Sequence, residues 1–320
     1  MAMNFWESQR QAKSKTFWFN TLFVFLTLVT ATLAELAMRT YAPEQYNPSF
    51  PILGFIFLAI IFLTAAFNYN NYLQYGGSYV AESLNAELID PRTDDPRERQ
   101  LLNIIQEIAL SASLPMPPVY VLDAEEINAF AAGTSPENAA VTVTRGTLEK
   151  LNRDELQGVI AHEFGHIYNS DMKVTMRISA MIMGFFVITY LGLRLMQGAS
   201  FRRSSDEKKG IDPIMLAAVI LIVAGLFTWF FGSILKAAVS RQREFLADAC
   251  SVQFTRNPNG ILGALKKIKA STDNDMPKDG SPYSHLYFNE RPSLWQRLFA
   301  THPPLDERIA VIEAEKTNVH

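Results

Sequence analysis

The residues whose types and spacing could do chemistry lie at 159 to 171, VIAHEFGHIYNSD, where two of the chain's five histidines stand four apart with a glutamate after the first. Side chains four apart on an α-helix project from one face, so His162 and His166 can present two imidazole nitrogens to one metal ion. Glu163 points about 100° away from His162, close enough to take a proton from an attacking water without ligating. This is the HExxH arrangement of metal-assisted hydrolysis. The competing reading, two histidines lining a core beside a surface glutamate, must reach the same five-residue spacing by chance.

A catalytic zinc takes about three protein side chains and keeps one position for water. The chain has one cysteine, Cys250, so neither a disulfide framework nor a thiolate zinc site is available, and that thiol reads as buried and inert. The best third ligand is Glu244, in SRQREFLADAC. Asp248 follows one turn later on the same face, where it would accept a hydrogen bond from the outer nitrogen of a ligand histidine and fix its tautomer. Alone, that stretch would read as a solvated charged face with Arg241 and Arg243 nearby. Beside HExxH it completes a site for one Zn2+ per chain.

The element that positions the histidines can be argued from its start. Asn152 is an N-cap, Glu155 stands three positions on as in a capping box, and Asp154 adds a favourable first-turn charge. Leu156, Val159, Ile160, Phe164 and Ile167 recur at helical spacing and form a core-facing stripe. Upstream, DPRTDDPRERQ reads as a turn before the helix-period run LLNIIQEIALSASL, and PPVYVLD, INAFAAG and AAVTVTRG read as strands of a small sheet. STDNDMPKDGSPYSH, opening the stretch 271–295, reads as a polar loop.

The chain is 48 % hydrophobic with a net charge of -3, which gives no electrostatic case for a nucleic-acid partner. The apolar residues concentrate in four segments, and about 20 such residues carry a helix across a bilayer. The expected partition is an N-terminal tail at 1–16, spans at 17–37, 51–68, 178–197 and 213–235, and a soluble domain in two parts, 69–177 and 236–320. Arg10, Lys13 and Lys15 before the first segment and Thr32-Leu33-Ala34 near its end would also suit a cleaved leader. Arg194 interrupts the third segment, where an arginine near a helix end can snorkel.

His162 and His166 precede the third span and Glu244 follows the fourth, so one ion binds all three only if the intervening pair crosses twice or not at all. Two further spans place the N-terminal tail on the side of the site. The basic tail against the lone Arg39 in the loop after the first span assigns that side to the cytoplasm. Arg202, Arg203, Lys208 and Lys209 in the 198–212 loop argue the other way. The shared ion outranks them, because a bilayer cannot separate ligands of one metal.

HExxH, the later EFLAD, the placement of the four segments, NAFAAG, GGSYVAESLNAELI and THPPLDERI together resemble the HtpX family of bacterial membrane zinc metallopeptidases. The more distant CAAX prenyl proteases carry the same motifs. The resemblance, over roughly 70 to 315, implies a multi-pass α+β protein of the bacterial inner membrane with four transmembrane helices and a split cytoplasmic gluzincin-like domain, both termini cytoplasmic. It implies a zinc endopeptidase that cuts membrane or misfolded proteins on the cytoplasmic side, in quality control and stress response, with membrane lipid as its surroundings. It further implies that Glu163 is the general base, that Asn128, Ala129, Phe130 and Ala131 form a substrate-binding edge strand, and that His302 stabilises the oxyanion. Arg308 belongs to the same HPP element and would support the site. The alternatives are a processing protease for one lipidated or terminal motif, and a non-catalytic membrane scaffold with structural zinc.

Overall fold

The computed structural model describes residues 5–202, 212–271 and 302–318, with the side chains of 5–20, 200–202, 235, 236, 239, 242 and 315–318 left out. The loops expected at 198–212 and 271–295 fall largely outside the described residues, as do the side chains of Arg10, Lys13 and Lys15. The elements run α1 (Phe5–Tyr41), α2 (Ile52–Ser83), β1 (Glu87–Leu88), α3 (Pro96–Ala112), β2 (Val119–Leu122), β3 (Ala129–Ala132), β4 (Ala140–Thr144), α4 (Arg145–Lys150), α5 (Arg153–Tyr168), α6 (Asp171–Arg202), α7 (Pro213–Thr255), α8 (Pro258–Ser271) and α9 (Leu305–Asn318). They divide into two compact units: Met1–Thr16, Asn70–Met176 and Lys236–His320 in one, Phe17–Tyr69 and Arg177–Leu235 in the other.

Among the described residues, four stretches are long and apolar enough to cross a membrane: Thr21–Tyr41, Ile52–Ser83, Asp171–Ala199 and Pro213–Ile234. In the unit they build, Phe23, Phe57, Ile61, Phe185 and Leu221 pack inward. Phe25, Phe62, Phe67, Phe186 and Val223 remain exposed, an apolar outer surface of the kind a membrane-crossing helix carries. The buried Glu35 carboxylate accepts from Arg39 Nε at 2.7 Å, Tyr46 Oη at 2.8 Å and the Gly54 amide at 3.1 Å, which satisfies an acid near the end of the apolar part of α1. Helix α1 starts at Phe5, within the segment read as a tail, because no Pro or Gly interrupts the chain before Pro43.

The other unit builds the site. Helix α5 opens on the capping box: Asn152 Oδ1 accepts from the Glu155 amide at 3.0 Å and Glu155 Oε2 accepts from the Asn152 amide at 2.8 Å. Leu156, Val159, Ile160, Phe164 and Ile167 are all buried, packed with Ile104, Ile105 and Ile108 of α3 and Val141 and Val143 of the sheet. The sheet order is β1-β2-β4-β3, with β2 parallel to β4 and β3 antiparallel to it at the edge. Asn128 O accepts from the Thr144 amide at 2.9 Å, so in this register the amides of Ala129 and Ala131 point away from β4, toward the outer edge.

Candidate metal centre

The metal-binding residues meet because α5 and α7 approach closely at Gly165, inside the HExxH segment. A Cβ there would stand 3.0 Å from Ala247 Cα and 3.0 Å from Cys250 Cβ, both on α7. Glycine removes that obstacle. Glu244, one turn before Ala247, then faces both histidines: His162 Nε2 is 3.5 Å from Glu244 Oε2 and His166 Nε2 is 3.5 Å from Glu244 Oε1. One ligand atom from each of the three side chains lies within 4.8 Å of the other two. Donors about 2.0–2.2 Å from a tetrahedral zinc stand roughly 3.3–3.5 Å from one another, so this set fits the ion in type and spacing.

Each imidazole is turned by a carboxylate on its far side. His162 Nδ1 is 2.8 Å from Asp248 Oδ1, and Arg308 grips Asp248 from α9, donating from Nε at 2.8 Å and from Nη2 at 2.6 Å. Arg308 Nη1 also reaches Glu244 Oε2 at 3.2 Å. His166 Nδ1 is 3.2 Å from Asp171 Oδ2, and Arg243 Nη1 donates to the other oxygen of Asp171. The two rings stand perpendicular with centroids 4.9 Å apart, each presenting Nε2 toward Glu244.

Glu163 is buried beside this cluster, and its Oε2 accepts from the outward amide of Ala131 on the edge strand at 2.8 Å. A small cleft opens there, lined by Ala129, Phe130 and Ala131 on one wall and by Glu163, His166, Glu244 and His302 around the metal-binding group. His302 Nδ1 is 2.6 Å from Glu244 Oε2. Asn128 is not among the lining residues; it is buried just before β3, where its amide donates to Thr147 Oγ1 at 2.7 Å and to Thr144 Oγ1 at 3.0 Å.

Comparison with known proteins fits this geometry: the peptidase family M48 profile matches residues 95–316, a span that holds every residue of the cluster. The chain belongs to peptidase family M48. A protein named Protease HtpX homolog from Streptococcus uberis is 42 % identical over 214 residues, covering 65 % of this chain and 70 % of the relative. Homologues of the same name from Streptococcus gordonii and Thermoanaerobacter pseudethanolicus are 35 % and 34 % identical over 289 and 290 residues, covering 88 % and 89 % of this chain and 93 % and 92 % of theirs. The crystal structure of S. mikatae Ste24p shares the fold, with a TM-score of 0.52 at 16 % identity, covering 97 % of this chain and 67 % of that one. This M48 chain is thus a zinc metallopeptidase with four helices that suit a membrane protein.

The electrostatics of the M48 site follow from burial and pairing. Burial pulls the His162 imidazole downward, but Asp248 outweighs it and the pKa is raised; at His166 burial is likewise outweighed by Asp171 and Glu244, and the pKa lies well above its ordinary value. Burial pushes Glu244 upward, yet the surrounding His302, His162 and His166 hold it well below the usual carboxylate range. Burial also raises Glu163, the nearby histidines only partly countering it, which makes it a stronger base than an exposed glutamate.

Two residues in this cluster carry no role in the sequence reading. Asp171 ends the HExxH stretch, and Arg243 immediately precedes Glu244. Ser170 adopts φ 57°, a left-handed turn that closes α5 and returns the chain so that Asp171, opening α6, comes back to His166. An acid five residues beyond the second histidine and a cation beside the third ligand were the available signals.

Proposed function

We propose that His162, His166 and Glu244 hold the catalytic zinc, that Glu163 is the general base, and that the protein cuts membrane or misfolded proteins at the cytoplasmic face in quality control and stress response. The observation that carries the residue roles is the convergence of two imidazole Nε2 atoms and one carboxylate, with a buried second carboxylate beside them under a sheet edge. Zinc bound there would supply Lewis-acid polarisation of the scissile carbonyl and a water of lowered pKa. Glu163 takes the proton from the attacking water and returns it to the leaving nitrogen. His302, at the cleft wall, donates to the oxygen that gains charge.

An extended substrate segment adds as a strand along β3, bonding to the outward amide of Ala129 and the outward carbonyls of Ala129 and Ala131, while the Ala131 amide is held by Glu163. Asn128 holds the start of that strand through the Thr144 and Thr147 contacts. Such recognition reads backbone rather than sequence, which suits damaged substrates. The cytoplasmic assignment is supported by the ligands lying on either side of an apolar helix pair and by the basic residues before α1 becomes apolar.

The test is zinc content and casein cleavage for wild type, Glu163→Gln and Glu244→Ala in detergent, each with a chelator control. The expected result is that Glu163→Gln keeps about one zinc and loses cleavage by roughly 10²–10⁴-fold, and that Glu244→Ala loses the metal. Cleavage by Glu163→Gln at the wild-type rate would sink the mechanism.

A further inference from the structure

Behind His166 stands an arrangement that repeats, with other residues, the one behind His162. There, an aspartate meets the outer ring nitrogen and an arginine holds the aspartate: His162, Asp248, Arg308. Here the series is His166, Asp171, Arg243. The Asp171 and Arg243 side chains are each 8 % exposed, too enclosed to be an ordinary surface ion pair. Burying a carboxylate and a guanidinium is costly unless each satisfies the other and something further.

The further partner is the metal-binding set. Asp171 touches His166, and Arg243 adjoins Glu244 in the chain, so one ion pair is tied to two of the three candidate ligands. It also joins the two places where the chain leaves this unit, after Met176, and returns to it, at Lys236. We propose that Asp171 and Arg243 are positioning residues of the metal centre. Asp171 accepts from His166 Nδ1, which leaves the Nε2 lone pair for the ion and fixes the ring. Arg243 fixes Asp171, and its continuity with Glu244 makes the placement of the two ligands a single event. The inference rests on the metal-site reading above.

The test uses full-length protein in detergent, loaded with zinc, and follows release of the ion to a chelator. Asp171→Asn, which keeps the shape of the side chain, and Arg243→Gln should each speed release roughly 10- to 100-fold. The double variant should release zinc no faster than the faster single one, because the two act in series. Ser251→Ala serves as the structural control: it removes a buried 2.7 Å hydrogen bond from α7 to Gly158 O on α5 and should lower the thermal midpoint without altering zinc release. Should Arg243→Gln not fold, Arg243→Lys, which keeps the charge but not the planar fork, replaces it with a smaller acceleration expected.

Release from both single variants at the wild-type rate, or equal acceleration by Ser251→Ala, overturns the relay and leaves the pair a brace between helices. Wild type that takes up no stoichiometric zinc overturns the metal-site reading, and the relay with it. A zinc-binding wild type whose relay variants alone leak the ion supports both.

Discussion

The two histidine flanks use the same groups at different depths. On the His162 side the ring and Arg308 are 0 % exposed and Asp248 is 4 %, and Arg308 answers both Asp248 and Glu244. On the His166 side the ring is 16 % exposed, Asp171 and Arg243 are 8 %, and all three line the cleft. The lesson is a division of labour. One flank is a closed wall in which a missing charge leaves others stranded in low dielectric, and the other borders the space where water and substrate enter.

Breaking the arginine on each side should expose that difference most strongly. Arg308→Met strands Asp248 and leaves Glu244 with one cation fewer, for an expected loss of roughly 3–5 kcal/mol of stability. Arg243→Met disturbs a pair that borders the cleft, where solvent can respond, and should cost roughly 1–3 kcal/mol. Denaturant unfolding of the metal-free variants in detergent measures both. Equal losses would mean that depth of burial does not rank the two flanks.

The unequal legibility of the flanks in the sequence has a physical cause. His162, His166, Glu244 and Asp248 are related by helical periodicity, i to i+4 within α5 and within α7, so spacing alone predicts a shared face. Asp171 is not related to His166 in that way. On a continuous helix a residue five positions on lies roughly 140° around and cannot reach back; the left-handed Ser170 brings it home, and nothing in a periodicity argument announces that turn. Charge alone would place Arg243 on a solvated face, whereas its side chain is 8 % exposed beside Asp171. The roles of His302 and Arg308 came from the family resemblance alone, since their place beside Glu244 depends on the packing of α9 with α8. The capping box at Asn152 and the stripe on α5 were readable because both are local.

A smaller effect should appear on acidification. Burial pushes Asp248 up, but Arg308 and His162 hold its carboxyl down at about 2, against an ordinary value of 3.8. A depressed acid contributes stability that is present above its unfolded value and is lost as pH falls through its folded one. The metal-free protein should therefore lose roughly 2.5 kcal/mol from this group between about pH 4 and pH 2. Asp248→Asn should start less stable at neutral pH and show a flatter acid limb over that window. An unchanged acid limb would place the acid sensitivity elsewhere and weaken the case for His162 as the strongly braced ligand.

The finest distinction can be drawn at Gly165. Adding a methyl brings it to 3.0 Å from Ala247 Cα and Cys250 Cβ, so α7 must shift by a few tenths of an ångström. These contacts bracket Asp248, whereas Arg243 lies four residues before Ala247. Gly165→Ala should thus cost only about 1 kcal/mol by itself, at the low end for overpacking. Its interaction should be selective. Combined with Arg308→Met it should depart from additivity by more than roughly 0.5 kcal/mol, and combined with Arg243→Met it should add within about that margin. Non-additivity with Arg243→Met instead would mean that α7 moves as one rigid rod and that the two flanks are mechanically a single structure.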